Sequence, residues 1–235
     1  MDSEIIWLMR LLSAHMLTDF FLQPASWVKA RREKQLQAGQ FWLHTGLTAF
    51  AAALFTGFDT WWVFPVIFLT HGAIDLWKSR QEEKFRYFLI DQLLHLTVIV
   101  MIWLLRFPAI LPAPGTLTTV IPGKKIWLTV MALAFLTRPA GIAIGILTRR
   151  FRDQIVDHDE KSLEKAGIWI GILERFVIFF LVLLQEYGAI GLLVAAKSIL
   201  RLRDDERKMS EYVLIGTLLS IATALLTGLV VARFI

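Results

Sequence analysis

Three apolar stretches of helical length each carry a carboxylate and an imidazole four residues apart: His15 and Asp19, His71 and Asp75, Asp91 and His95. A fourth histidine, His44, opens another such stretch, so four of the five histidines stand where water should be scarce. Residues at i and i+4 share one face of a helix, so three helices can each aim an acid and an imidazole in one direction. Ionisable groups at membrane depth are costly and mark functional positions. Such a set could bind a metal or relay protons. Imidazole with carboxylate suits zinc first, and manganese or iron as alternatives. Four histidines and three aspartates exceed one tetrahedral site. They allow two adjacent ions, or one ion whose imidazoles are oriented by further carboxylates.

The ligand pool expected on these grounds is His15, Asp19, His71, Asp75, Asp91 and His95, with His44 as a further ligand or an acid/base. A metal there could activate water and stabilise charge on a phosphoryl or acyl oxygen. Lys78, three residues beyond Asp75, and Arg175 are candidates to hold an anionic substrate group, with Glu174 beside Arg175. The chain has no cysteine, which excludes thiolate ligands and disulfides. It also lacks an H-E-x-x-H run, which argues against a gluzincin-like protease.

The elements that must carry these residues follow from composition. The 235 residues are 56% hydrophobic, with 17 Phe and 9 Trp and a mean hydropathy of +0.59. That is the profile of an integral membrane protein. The net charge of +5 gathers between apolar segments, which favours membrane topology over nucleic-acid binding. Apolar runs long enough to span predict helices near 4–23, 41–57, 61–78, 87–106, 125–147, 167–185, 187–201 and 211–232. The expected fold is an all-α polytopic transmembrane bundle of about eight spans. Residues 1–106 form a four-helix half with the His/Asp set, 107–124 a Pro-rich outer loop, and 125–235 a second four-helix half with Glu/Arg/Lys motifs. Thr137-Arg138-Pro139 predicts a break in the fifth segment. The short link Gln185-Glu186-Tyr187-Gly188 predicts a tight hairpin, whose second helix is short for a full span.

Basic residues alternate between connections, with Lys29, Arg31, Arg32 and Lys34 in one and Lys78, Arg80, Lys84 and Arg86 in the next of the same set. By the positive-inside rule both termini lie outside the cytoplasm. The first segment has no basic region ahead of it and no cleavage site, so it reads as a retained helix. This orientation brings the His/Asp set, together with Glu174, Arg175, Lys197, Arg201, Glu211 and Tyr212, toward the cytoplasmic face. Blander roles stand beside these. An Asp–His pair can simply join two helices. Lys29, Arg31 and Arg32 read as topology determinants and headgroup contacts. The run Asp157-His158-Asp159-Glu160 reads as a solvated linker, and Gly141/Gly145 with Gly188/Gly191 allow close contacts within a chain or in a homo-oligomer.

The segments HMLTDFFLQPASWVKARRE, FWLHTG, THGAIDLWKSR and FLIDQLLHL resemble the DUF3307 family of uncharacterised bacterial membrane proteins. The family's pattern maps onto His15, Asp19, Phe20 and Gln23, then His44, then His71, Asp75 and Lys78, then Asp91, Gln92 and His95. Longer members resemble the second half through IGILERF, LLVAAKSILR and SEYVLIGTLLS. The resemblance implies a bacterial inner-membrane location and supports the fold and site positions, but no activity comes with it. The residues favour a membrane-embedded metal-dependent hydrolase or transferase, acting from the cytoplasmic side on a lipid or lipid-linked phosphate. An ion-coupled transporter and a non-catalytic scaffold are the alternatives.

Overall fold

The computed structural model describes residues 2–108, 124–154, 166–201 and 207–234. Residues 109–123, most of the expected Pro-rich loop, and the run Asp157–Glu160 lie outside them. The described structure is all-α, and the chain divides into two compact units, Met1–Trp127 and Leu128–Ile235.

In the first unit, α1 (Asp2–Met16) continues into a π-helical turn, Leu17–Phe21, where the Leu22 amide donates to the Leu17 carbonyl five residues back at 3.0 Å. Pro24, extended at φ −66° and ψ 151°, then starts α2 (Ala25–Lys34). The chain turns by 84° between these two stretches. The residues from Lys29 to Lys34, read from sequence as a plain connection, are thus helical. After α2 come α3 (Gly39–Thr56), α4 (Val63–Ser79) and α5 (Phe85–Arg106). Helices α1, α3, α4 and α5 pack in a ring, α1 on α3, α3 on α4, α4 on α5 and α5 on α1.

Each of these helices buries a stripe that changes character along its length. On α4 the stripe runs Val63, Ile67, His71, Asp75, and on α5 it runs Ile102, Ile99, His95, Asp91. On α1 it passes from Trp7 and Leu11 to His15, and on α3 from Ala52 and Thr48 to His44. The apolar ends join in one core of Trp7, Leu11, Ala49, Ala52, Val63, Ile67, Ile99 and Ile102. The polar ends meet at the other end of the bundle. Leu43, Phe50, Leu54, Leu69, Leu93 and Leu105 point outward and stay exposed, as expected of faces turned to lipid.

The second unit contains most of α6 (Lys124–Leu136), then α7 (Arg138–Arg152), α8 (Ala166–Leu183), α9 (Tyr187–Arg201) and α10 (Arg207–Phe234). The expected break falls at Thr137, which leaves the helical region at φ −82° and ψ −109° just before Pro139. Helices α8 and α9 form the expected hairpin, closed by the Glu186 amide on the Leu181 carbonyl at 2.8 Å, with Gln185 at φ +60°. The core joins Leu136, Ile178, Phe179, Val182, Ile190, Ala224 and Val231. Helix α10 lies so close to α8 that a Cβ at Gly228 would sit 2.8 Å from Val182 Cβ.

Not all of the eight expected spans have the length and hydropathy of a lone membrane-crossing helix. Among the described residues, four helical stretches are long and apolar enough to cross a bilayer: α5, residues 125–152, α8 and α10. They become five if the bent α1–α2 pair counts as one. The physical reason lies partly in the site itself. Helix α4 has 17 residues, about 25 Å at the helical rise, and carries His71, Asp75 and Lys78. Helix α3 is diluted by Gln40, His44 and three threonines.

Candidate metal centre

The bend after α1 delivers Asp19. A π turn inserts one residue and re-aims the side chains beyond it, and such bulges recur at functional sites. Asp19 Oδ1 stands 3.5 Å from His15 Nδ1 on its own helix. It also stands 3.6 Å from His44 Nε2 and 3.6 Å from His71 Nε2 on two neighbouring helices. Asp75 Oδ2, one turn beyond His71, approaches the same two nitrogens at 3.5 and 3.6 Å. The two nitrogens are 3.1 Å apart. His44, His71 and Asp75 are all buried.

These separations bear on what the cluster can hold. An ion about 2.0–2.2 Å from each of four tetrahedral donors sets those donors about 3.3–3.6 Å apart. His44 Nε2 and His71 Nε2 lie 3.1 Å apart, and each lies 3.5 to 3.6 Å from both Asp19 Oδ1 and Asp75 Oδ2. Two carboxylates set against two imidazoles suit a divalent cation.

The remaining histidines adjoin this set. The His95 ring lies 4.4 Å from that of His71 and stacks on His15 at 5.0 Å, centroid to centroid. Among the described residues, three overlapping groups have donors close enough to share an ion: His15–Asp19–His95, Asp19–His44–His71 and His71–Asp75–His95. Asp91 is outside these groups. Its Oδ2 accepts from Gln92 Nε2 at 3.1 Å, and its backbone carbonyl faces His95 Nδ1 at 2.9 Å, fixing that ring. His95 Nε2, His44 Nδ1 and Asp91 Oδ1 are buried without a protein hydrogen-bond partner. A small, mostly apolar cavity borders His15, His71 and His95, with room for about one water.

Arg31 is the residue that the sequence reading placed wrongly. Expected at the lipid headgroups, it is instead 6% exposed and donates from Nη1 to Asp75 Oδ2. Its neighbour Arg32 donates to the Gln81 carbonyl at 2.7 Å and pairs with Glu83 at 3.5 Å, which pins α2 over the α4–α5 connection. A signal for this was present. After Pro24, residues Trp27, Val28, Arg31, Gln35 and Ala38 recur at helical spacing and turn inward, while Lys29, Glu33 and Lys34 face out. Lys78 ends the site on α4. Its Nζ is buried without a hydrogen-bond partner and lies 5.6 Å from the Phe88 ring centre.

Glu174 and Arg175 belong to the second unit and are engaged there. Arg175 donates to the Leu136 carbonyl at 2.6 Å, to the Thr137 carbonyl at 3.1 Å and to Ser220 Oγ at 3.2 Å. Pro139 has no N–H to return to the preceding turn, and the guanidinium supplies donors at that break. Glu174 Oε2 accepts from Lys197 Nζ at 2.6 Å. Each therefore pairs across helices, not with its neighbour in sequence.

Fold and site together define a membrane-embedded, all-α protein with a buried His/Asp cluster able to coordinate a metal. Residues 7–119 match the family described as "Protein of unknown function (DUF3307)". The match contains the whole cluster, Arg31 and Lys78 included. No curated protein and no solved structure matches the chain.

Proposed function

We propose that the chain is a membrane-embedded, metal-dependent hydrolase or transferase. Its ion, zinc first by donor type, would be held by His44, His71, Asp19 and Asp75. His15 and His95 adjoin that set and would serve a second ion or orient the first. The single observation that carries this reading is the set of donor separations, 3.1 to 3.6 Å across three helices. Charge alternation along the sequence supports placing this end of the bundle at the cytoplasmic face of a bacterial inner membrane. The flanking cations Arg31 and Lys78 favour chemistry on an anionic, lipid-linked group over passage of a bare cation. The bound metal would polarise the reacting oxygen and lower the pKa of a water. The protein supplies a buried, oriented ligand set.

The test is elemental analysis of the full chain purified gently, then stripped by chelator and reloaded. Wild-type protein is expected to take up at least one zinc per chain. His71→Ala removes the imidazole common to two of the donor groups and should weaken that uptake about 100-fold or more, above the 10–100-fold typical of partners outside the ligand set. Folded wild-type protein that takes up no transition metal would sink the proposal.

A further inference from the structure

The cluster has a cationic side that the metal does not use. Arg31 donates from Nη1 to Asp75, while its Nε is buried without a partner. Lys78, one turn after Asp75 on α4, likewise has a buried, unpartnered Nζ. Both lie within electrostatic reach of each other, and Lys78 also of Asp75 and Asp91. A lysine at a helix end ordinarily extends its ammonium to water, and a buried N–H donor ordinarily finds an acceptor. Neither holds here.

The charges point the same way. A divalent ion, Arg31 and Lys78 together exceed the three carboxylates Asp19, Asp75 and Asp91 by one positive charge. A buried surplus of that kind is costly unless an anion offsets it. The free edge of a guanidinium presents donors in a planar fork suited to oxyanions, and an ammonium adds a compact point charge. Three separated cationic points call for a ligand with at least three oxygens. A carboxylate has two, and the site already supplies its own.

We propose that Arg31 and Lys78 form a phosphate-binding subsite beside the metal centre, so that a phosphate group is held between the ion and these two cations. This rests on the metal-dependent reading above and names its substrate class. Helix α2 builds the subsite by carrying Arg31 inward. The contacts of Arg32 with Gln81 and Glu83 keep α2 over it. The phosphate would belong to a lipid headgroup or to a free, soluble phosphate, and the chemistry at the two cations is the same for both.

The experiment uses the full chain in mild detergent, with bound zinc quantified on the same sample, and inorganic phosphate as probe in equilibrium dialysis. Zinc-loaded wild type should bind phosphate saturably. Lys78→Gln should weaken that binding at least ten-fold with zinc content unchanged. Arg31→Lys, which keeps a charge for Asp75 but loses the fork, should weaken it as well. Lys29→Gln, on the exposed face of α2, should leave it unaltered. Zinc-bearing protein that ignores phosphate, or that binds it equally well as Lys78→Gln, overturns the subsite and leaves the metal centre standing. If the wild type takes up no zinc, the metal reading fails instead. The same titration on metal-free protein then decides the subsite: Lys78-dependent binding supports it, and any other result overturns it. Competition by nanodiscs carrying phosphatidic acid, against discs of phosphatidylcholine alone, assigns the source. Displacement marks a lipid headgroup, and its absence marks a soluble phosphate.

Discussion

Both units bury charged side chains, but they treat them differently. In the second unit Arg175 spends its donors on two carbonyls and a hydroxyl, and Glu174 meets Lys197. These groups close a helix break and a helix–helix contact, and each of the three guanidinium nitrogens has a protein acceptor. In the first unit the opposite holds. Arg31 Nε, Lys78 Nζ, His44 Nδ1, His95 Nε2 and Asp91 Oδ1 are buried with no protein partner, around donors spaced for an ion. Buried polar groups that are satisfied within the protein specify packing, and those that are not mark a place where something else completes them. A charged residue inside a membrane protein is therefore informative mainly through its partners.

Substitutions can break this contrast or sharpen it. The largest effect is expected from Arg31→Ala, which strands the Asp75 carboxylate inside the bundle. Loss of one partner of a buried pair costs about 3–5 kcal/mol, to be read as the stability of the first unit in detergent unfolding. A loss below about 1 kcal/mol would mean that Arg31 is not buried against Asp75. Arg175→Ala should come next. Leaving the Leu136 and Thr137 carbonyls short of donors costs about 1–3 kcal/mol, and zinc content should stay at the wild-type level. A drop in bound zinc without unfolding would erase the distinction between the two units. Gly228→Ala places a methyl against Val182, where the approach is already 2.8 Å. Overpacking of this kind costs about 1–2 kcal/mol, measurable as a lower melting temperature with metal uptake intact. The smallest effect belongs to Lys29→Ala. The Lys29–Glu33 pair is 77% and 58% exposed, so its removal should shift stability by less than about 0.5 kcal/mol. A larger loss would show that α2 faces the bundle with a different side.

Much of this architecture was legible in the residues. The segment limits follow from apolar runs and their polar interruptions, and Thr137-Arg138-Pro139 announced the break because proline cannot complete a helical turn. His15, His71, Asp75 and His95 were legible as a group because i, i+4 spacing survives into an α-helix unchanged, and His44 because it stands as a lone imidazole in an apolar stretch. The span count was not legible. The polar residues that build the site also lower the hydropathy of the helices that carry it, so α3 and α4 fall short of the profile of a lone span.

What the sequence determined by itself is local: helical periodicity, the sites of breaks, and which faces carry donors. Arg31 marks the boundary of that knowledge. In one dimension it is one of several basic residues in a charged stretch, and its neighbours Arg32 and Lys34 do turn outward or along the surface. Only the folded chain, bending by 84° after the π turn at Asp19, swings that stretch beneath α4 and sets the guanidinium on Asp75. Periodicity fixes the direction of a side chain about its own helix axis. Which group on another helix it meets depends on the path of the connection between them, and that is decided by packing across residues far apart in sequence.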